Sequence, residues 1–261
     1  MRKIVENYLL FTKRNEFNTD FQKYFYQRLG IFLCLDLKES PKLLFTSNIN
    51  KIVEVYGNFE NDRASAFYSE DVNTVVFYVP KFDTKDELFR YANRFDEIVD
   101  ETKEELEDKG LKLNQFRYII PLSDIYHELI HAIQFQYGQY KYDDLLEGTN
   151  EIMTYFITGH WNIEYVKESF SLWFIYKYEL KQQRDAIYSF IRNCIVTSDF
   201  DKRYFLSNAN FINMLSKNYK GKMKYFLQRY KFDYYNSYYS DYKVEFEKDL
   251  EYIHNLIFYK Y

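Results

Sequence analysis

The spacing of apolar residues along this chain changes character twice. Over residues 4–29 it follows a helical period and predicts one or two amphipathic helices, the second with Phe17, Phe21, Phe25 and Leu29 on one stripe. Residues 41–80 break into short apolar runs separated by Asn and Asp. The runs 43–46, 52–56, 64–68 and 74–79 read as strands, and Pro80 ends the last. A long charged helix follows over 84–109, with Leu88, Tyr91, Ala92, Phe95, Ile98 and Val99 on its inner face and Gly110 after it. Pro121 and Ser123 precede a helix over Asp124–Phe135, for which Gly138 is a C-cap candidate. Asp143 is an N-cap candidate for a second helix over Asp143–Phe156, and almost everything beyond is helical. The short connection predicts that these two helices pack antiparallel. Strands first and helices later give an α+β class. The expected organisation is two lobes, 1–138 with the strands and 139–261 helical.

The first of those two helices carries the chemistry. It contains His127-Glu128-Leu129-Ile130-His131, an HExxH sequence. Residues four apart share one helical face, so both imidazoles can converge on one ion. The glutamate between them projects beside that ion, where a water would sit. This arrangement suits zinc-assisted hydrolysis, with Glu128 as general base. The chain has only four histidines, so such a pentapeptide is a rare accident of composition. A catalytic zinc needs a third protein ligand and an open position. Glu147 and Glu151 lie four apart on the second helix and share a face that can point at the histidines. Taken alone, either glutamate would be ordinary on a solvated helix.

These residues, over roughly His127 to Tyr155, resemble the gluzincin metallopeptidases of the zincin superfamily. There an HExxH helix is followed by a helix bearing a glutamate ligand, with an acidic residue one turn later. The resemblance implies a single zinc ion held by His127, His131 and Glu147, with Glu151 holding a histidine ring in place. Gly148-Thr149-Asn150-Glu151 also resembles the Gly-Thr-x-Asp of the aspzincins, which would make Glu151 the ligand; the aspartate itself is missing. Gln134 and Tyr137 stand where metzincins need Gly and His, so that pattern fails.

The resemblance further implies a zincin-like domain, with a small twisted sheet over the HExxH helix and a mainly helical C-terminal half. In such domains an edge strand pairs with an extended peptide substrate, and residues 74–79 are the candidate. The expected activity is peptide-bond hydrolysis on a protein or peptide. The expected oxyanion donor is a Tyr or His, with Tyr155, His160 and Tyr126 as candidates. His254 reads as a surface or core histidine. Two rival functions are a catalytically silent regulatory or binding protein on the same scaffold, and a structural zinc site. The second is weakened because structural sites are rich in Cys.

Composition adds limits. The formal net charge is −4 with both signs interspersed, which gives no case for nucleic acid or an anionic membrane. No apolar run reaches a membrane span, and the N-terminus lacks a signal-peptide core, so the default compartment is cytoplasmic. Cys34 and Cys194 lie in apolar contexts and read as buried thiols, not a disulfide. The 29 Tyr and 25 Phe against seven Gly and three Pro imply long helices with an aromatic core.

Overall fold

The computed structural model describes residues 2–5, 8–11, 19–37, 39–46, 66–78, 107–108, 110, 118–137, 143–160, 165–196 and 209–258. They form a mixed α+β chain, mostly helical, with two three-stranded sheets. The chain divides into two compact units, Met1–Ile31 with Leu35–Leu129, and Phe32–Cys34 with Ile130–Tyr261.

The first unit holds all the described strands. β1 (Arg2–Val5) and β2 (Tyr8–Phe11) pair antiparallel, and β2 pairs in turn with β6 (Tyr118–Pro121). Here the sequence expectation is corrected. The stretch read as a first helix is a pair of strands, because Ile4-Val5 and Leu9-Leu10 are too short to fix a period and β6 supplies a partner. Leu9 and Ile120 are opposite each other in register and both buried. Helix α1 (Thr19–Leu33) follows as expected, with Phe25, Leu29 and Leu33 on its buried stripe.

The second sheet has the order β3-β5-β4, from β3 (Lys42–Thr46), β4 (Ala66–Ser69) and β5 (Thr74–Tyr78). β3 runs parallel to β5 and β4 antiparallel to it. β5 is therefore the central strand. Both its edges are already paired, which corrects the expectation that it offers an open edge to a peptide. Its unbroken apolar run fits a centre: Val75, Val76 and Phe77 are all buried, and Phe77 stacks on its register partner Phe45 at 4.8 Å. The expected strand at 52–56, residues 84–106 of the expected charged helix and the Gly138 cap lie outside the described residues; Glu107 and Asp108 are helical, and Gly110 follows at φ +67°.

β6 runs straight into helix α2 (Leu122–Tyr137), which carries the HExxH sequence. The boundary between the two units falls inside this helix. The second unit is helical: α3 (Asp143–Thr158), α4 (Val166–Phe174), a π-helical turn (Ile175–Glu179), α5 (Ile187–Val196), α6 (Ala209–Tyr219) and α7 (Met223–Phe258). α3 lies at its centre, packed against α4, α5 and α7.

Two glycines allow that packing. At Gly148 a Cβ would lie 2.9 Å from the Glu168 carbonyl oxygen, so α4 approaches the backbone of α3 where only glycine fits. Gly159 ends α3 with φ +76°, and a Cβ there would meet His254 Nε2 at 3.0 Å. His254 Nδ1 in turn hydrogen-bonds the Phe156 carbonyl at 3.0 Å, so this histidine fastens α7 to the end of α3, in line with a structural reading.

Aromatic side chains fill the rest. Phe170, Trp173, Tyr230 and Phe246 are fully buried, and Phe170 meets Phe246 edge-on at 5.6 Å. Cys194 is buried, which pushes its thiol pKa up, whereas Cys34 is exposed. Cys34 departs from the buried expectation because it lies just past the end of α1, at φ 49°. Among the described residues no helix is long and apolar enough to cross a membrane.

Candidate metal centre

Helix α2 is buried over most of its surface. Ile125, Tyr126, Leu129, Ile130, Ala132 and Ile133 are all in the core. At about 100° per residue, Asp124, His127, Glu128, His131 and Gln134 fall within a stripe about 120° wide. A polar stripe on an otherwise apolar, buried helix has to be matched by polar groups elsewhere. Helix α3 carries such groups: Thr149, Asn150, Glu151 and Thr154 are all 0% exposed.

His127 and His131 of α2 meet Glu147 of α3 in a cluster. One ligand atom from each lies within 4.8 Å of the other two. His131 Nε2 is 3.5 Å from Glu147 Oε2. Two ligands of a tetrahedral zinc, with bonds of about 2.0–2.1 Å, lie roughly 3.3–3.5 Å apart, so the His131–Glu147 separation is that of two atoms sharing such an ion. His127 is buried, while His131 and Glu147 are partly exposed. The donor set of two imidazoles and a carboxylate suits a divalent transition metal.

Glu128 is 7% exposed and sits about 100° round the helix from His127. Glu151, one turn beyond Glu147, is fully buried and does not belong to the three-residue cluster. The proposed oxyanion donors lie in different settings. Tyr155 is half-buried, with its ring edge-on to His254 at 6.1 Å. Burial, then the carboxylates of Glu251 and Glu247, push its hydroxyl pKa up. His160 is exposed past the end of α3, where its backbone N–H donates to Thr158 Oγ1 at 3.1 Å. Tyr126 is buried edge-on to Phe25 at 5.6 Å and points away from the histidine face.

Sequence reasoning missed Gln134 as a part of the site, using it only to exclude another pattern. It is fully buried one turn after His131, and its Oε1 lies 2.8 Å from His131 Nδ1. Its Nε2 donates to the Leu146 carbonyl at 3.1 Å and to Thr149 Oγ1 at 3.0 Å. The available signal was its position, a polar residue on the same stripe as the histidines of an apolar helix. No protein-family model, no curated protein and no solved structure matches this chain.

Proposed function

We propose that this protein is a zinc metallopeptidase, with a gluzincin-like ligand set of His127, His131 and Glu147 and with Glu128 as general base. The observation that carries the reading is the convergence of those three ligands from two helices, with Glu128 placed between the histidines in sequence. Two imidazoles and one glutamate form a donor set used by zinc hydrolases, which keep the fourth position for water or substrate. When bound, zinc supplies Lewis-acid polarisation of the scissile carbonyl and of the attacking water.

The remaining work falls to the chain. Glu128 accepts a proton from the water as its oxygen bonds to the carbonyl carbon. It then passes that proton to the departing amine nitrogen as the C–N bond breaks. Burial of His127 and Glu128 keeps both in a restricted setting, where oriented groups act more strongly than in water.

One observation favours the second reading, a regulatory or binding protein that holds the metal without turnover. β5 is central in its sheet, so the strand expected to receive an extended peptide has no open edge. The experiment that separates the two compares wild type with Glu128→Gln on a diverse peptide library, with and without chelator. The peptidase reading expects cleavage by wild type, lost on chelation and regained with zinc. It expects a rate about 10²–10⁴-fold lower in Glu128→Gln. Equal cleavage by both proteins, or none by zinc-loaded wild type, refutes it.

A further inference from the structure

We infer that Gln134 is the positioning residue that fixes the His131 ring with Nε2 presented to the metal, locked in that setting by Leu146 and Thr149. The inference rests on the metal-site reading above and concerns what sets its affinity.

The argument is one of donors and acceptors. A primary amide has an N–H end and an oxygen end, and the Leu146 carbonyl can only accept. The NH₂ of Gln134 must therefore be the end that faces it, at 3.1 Å. The same NH₂ reaches Thr149 Oγ1 at 3.0 Å, while that hydroxyl donates its own hydrogen to the Leu146 carbonyl at 3.1 Å. Flipping the amide would set oxygen against oxygen at a fully buried position. Gln134 Oε1 is thus the acceptor, and His131 Nδ1, 2.8 Å away, must carry the hydrogen. In the neutral ring the lone pair then lies on Nε2. That nitrogen lies 3.5 Å from Glu147 Oε2, so in the neutral ring it is the atom offered to the proposed metal beside that carboxylate.

Leu146 and Thr149 also flank Glu147 in sequence. The bonds that lock Gln134 therefore tie the ligand-bearing turn of α3 to α2. One side chain sets the tautomer of one ligand and anchors the turn that brings another. Metal-binding imidazoles generally need such a partner on their second nitrogen.

The test uses the full chain with Gln134→Leu, Gln134→Glu and Thr149→Val. Long-range proton–nitrogen spectra of the metal-free protein, at a pH where the ring is neutral, read the His131 tautomer directly. Zinc affinity is read by competition with a chelator. Wild type should show hydrogen on Nδ1 of His131, and Gln134→Leu should show a mixture of tautomers. Gln134→Leu should bind zinc about 10–100-fold more weakly. Gln134→Glu keeps an acceptor for Nδ1 while losing the donation to Leu146, so it should recover most of that affinity even though it is less stable. Thr149→Val leaves the contact between His131 and Gln134 in place and should lose less than Gln134→Leu. Should Gln134→Leu fail to fold, the wild-type tautomer and the other two variants decide. Hydrogen on Nε2 in wild type overturns the inference, and so does unchanged zinc affinity in Gln134→Leu. Absence of zinc binding by wild type defeats the metallopeptidase reading instead, and the tautomer of the metal-free protein still decides this inference.

Discussion

Two polar clusters of this chain balance their charges in different ways. Asp249 of α7 is 4% exposed and accepts from Trp173 Nε1 at 3.0 Å and from Lys177 Nζ at 2.5 Å. Lys177 lies in the π-helical turn after α4 and also pairs with Glu245 at 2.6 Å, and Tyr178 donates to the same glutamate. There the anions and the cation come from one cluster. At the triad, two imidazoles and a carboxylate converge, and none of the three carries a fixed positive charge. A buried anion with its own lysine is accounted for by the fold alone. Lone pairs converging from two helices form the donor set of the metal site proposed above. The contrast sets a network that carries its own cation beside a cluster whose three members are all potential metal ligands.

The largest effect should follow from breaking the self-contained network. Asp249→Ala leaves the buried Trp173 N–H without its acceptor and leaves Lys177 with Glu245 alone. A buried donor left without its acceptor costs about 1–3 kcal/mol, measurable by urea denaturation. The loss should be the same with zinc or with chelator, because this network has no metal to lose. A loss that zinc restores would break the distinction drawn between the clusters.

A smaller effect concerns pH. Burial alone would raise the Glu245 carboxyl, but hydrogen bonds from Lys177 and Tyr178, with the charge of Lys177, outweigh it and hold the pKa below the usual value. A carboxyl lowered in the folded state stabilises the protein above its unfolded pKa, about 4.3 for Glu. That contribution is lost as pH falls through the lower folded value. Wild type should therefore be more stable than Glu245→Gln at neutral pH, and the two should converge in acid as pH falls from the unfolded value through the lower folded one. The difference should be modest, since the Glu245 side chain is 44% exposed and solvent screens the pair. A difference that persists unchanged through that range would show that the ion pair contributes nothing.

What the sequence made legible follows from range. α2 and α3 are long and strongly periodic, and their local pattern places them nearly to the residue. The HExxH spacing is likewise local, since it needs only the helical repeat. The strands Arg2–Val5 and Tyr8–Phe11 were misread because their partner β6 is more than a hundred residues away, and no local signal announces it. The central place of β5 has the same origin. Its sequence shows a strand, but the order β3-β5-β4 is set by long-range pairing. Gln134 was visible as a polar residue on an apolar helix, yet its role depends on a carbonyl of the neighbouring helix. A side-chain amide gains a fixed direction only from what it meets.

The central claim is that His127, His131 and Glu147 hold a metal, and metal content tests it most directly. Wild type, Glu128→Gln, His131→Ala and Glu147→Ala would be equilibrated in buffered zinc, freed of loose metal and analysed for zinc per chain. The account predicts about one zinc per chain in wild type and in Glu128→Gln, whose substitution spares the ligands. It predicts loss of the metal in His131→Ala and in Glu147→Ala. Stoichiometric zinc in His131→Ala, or none in wild type, would contradict it.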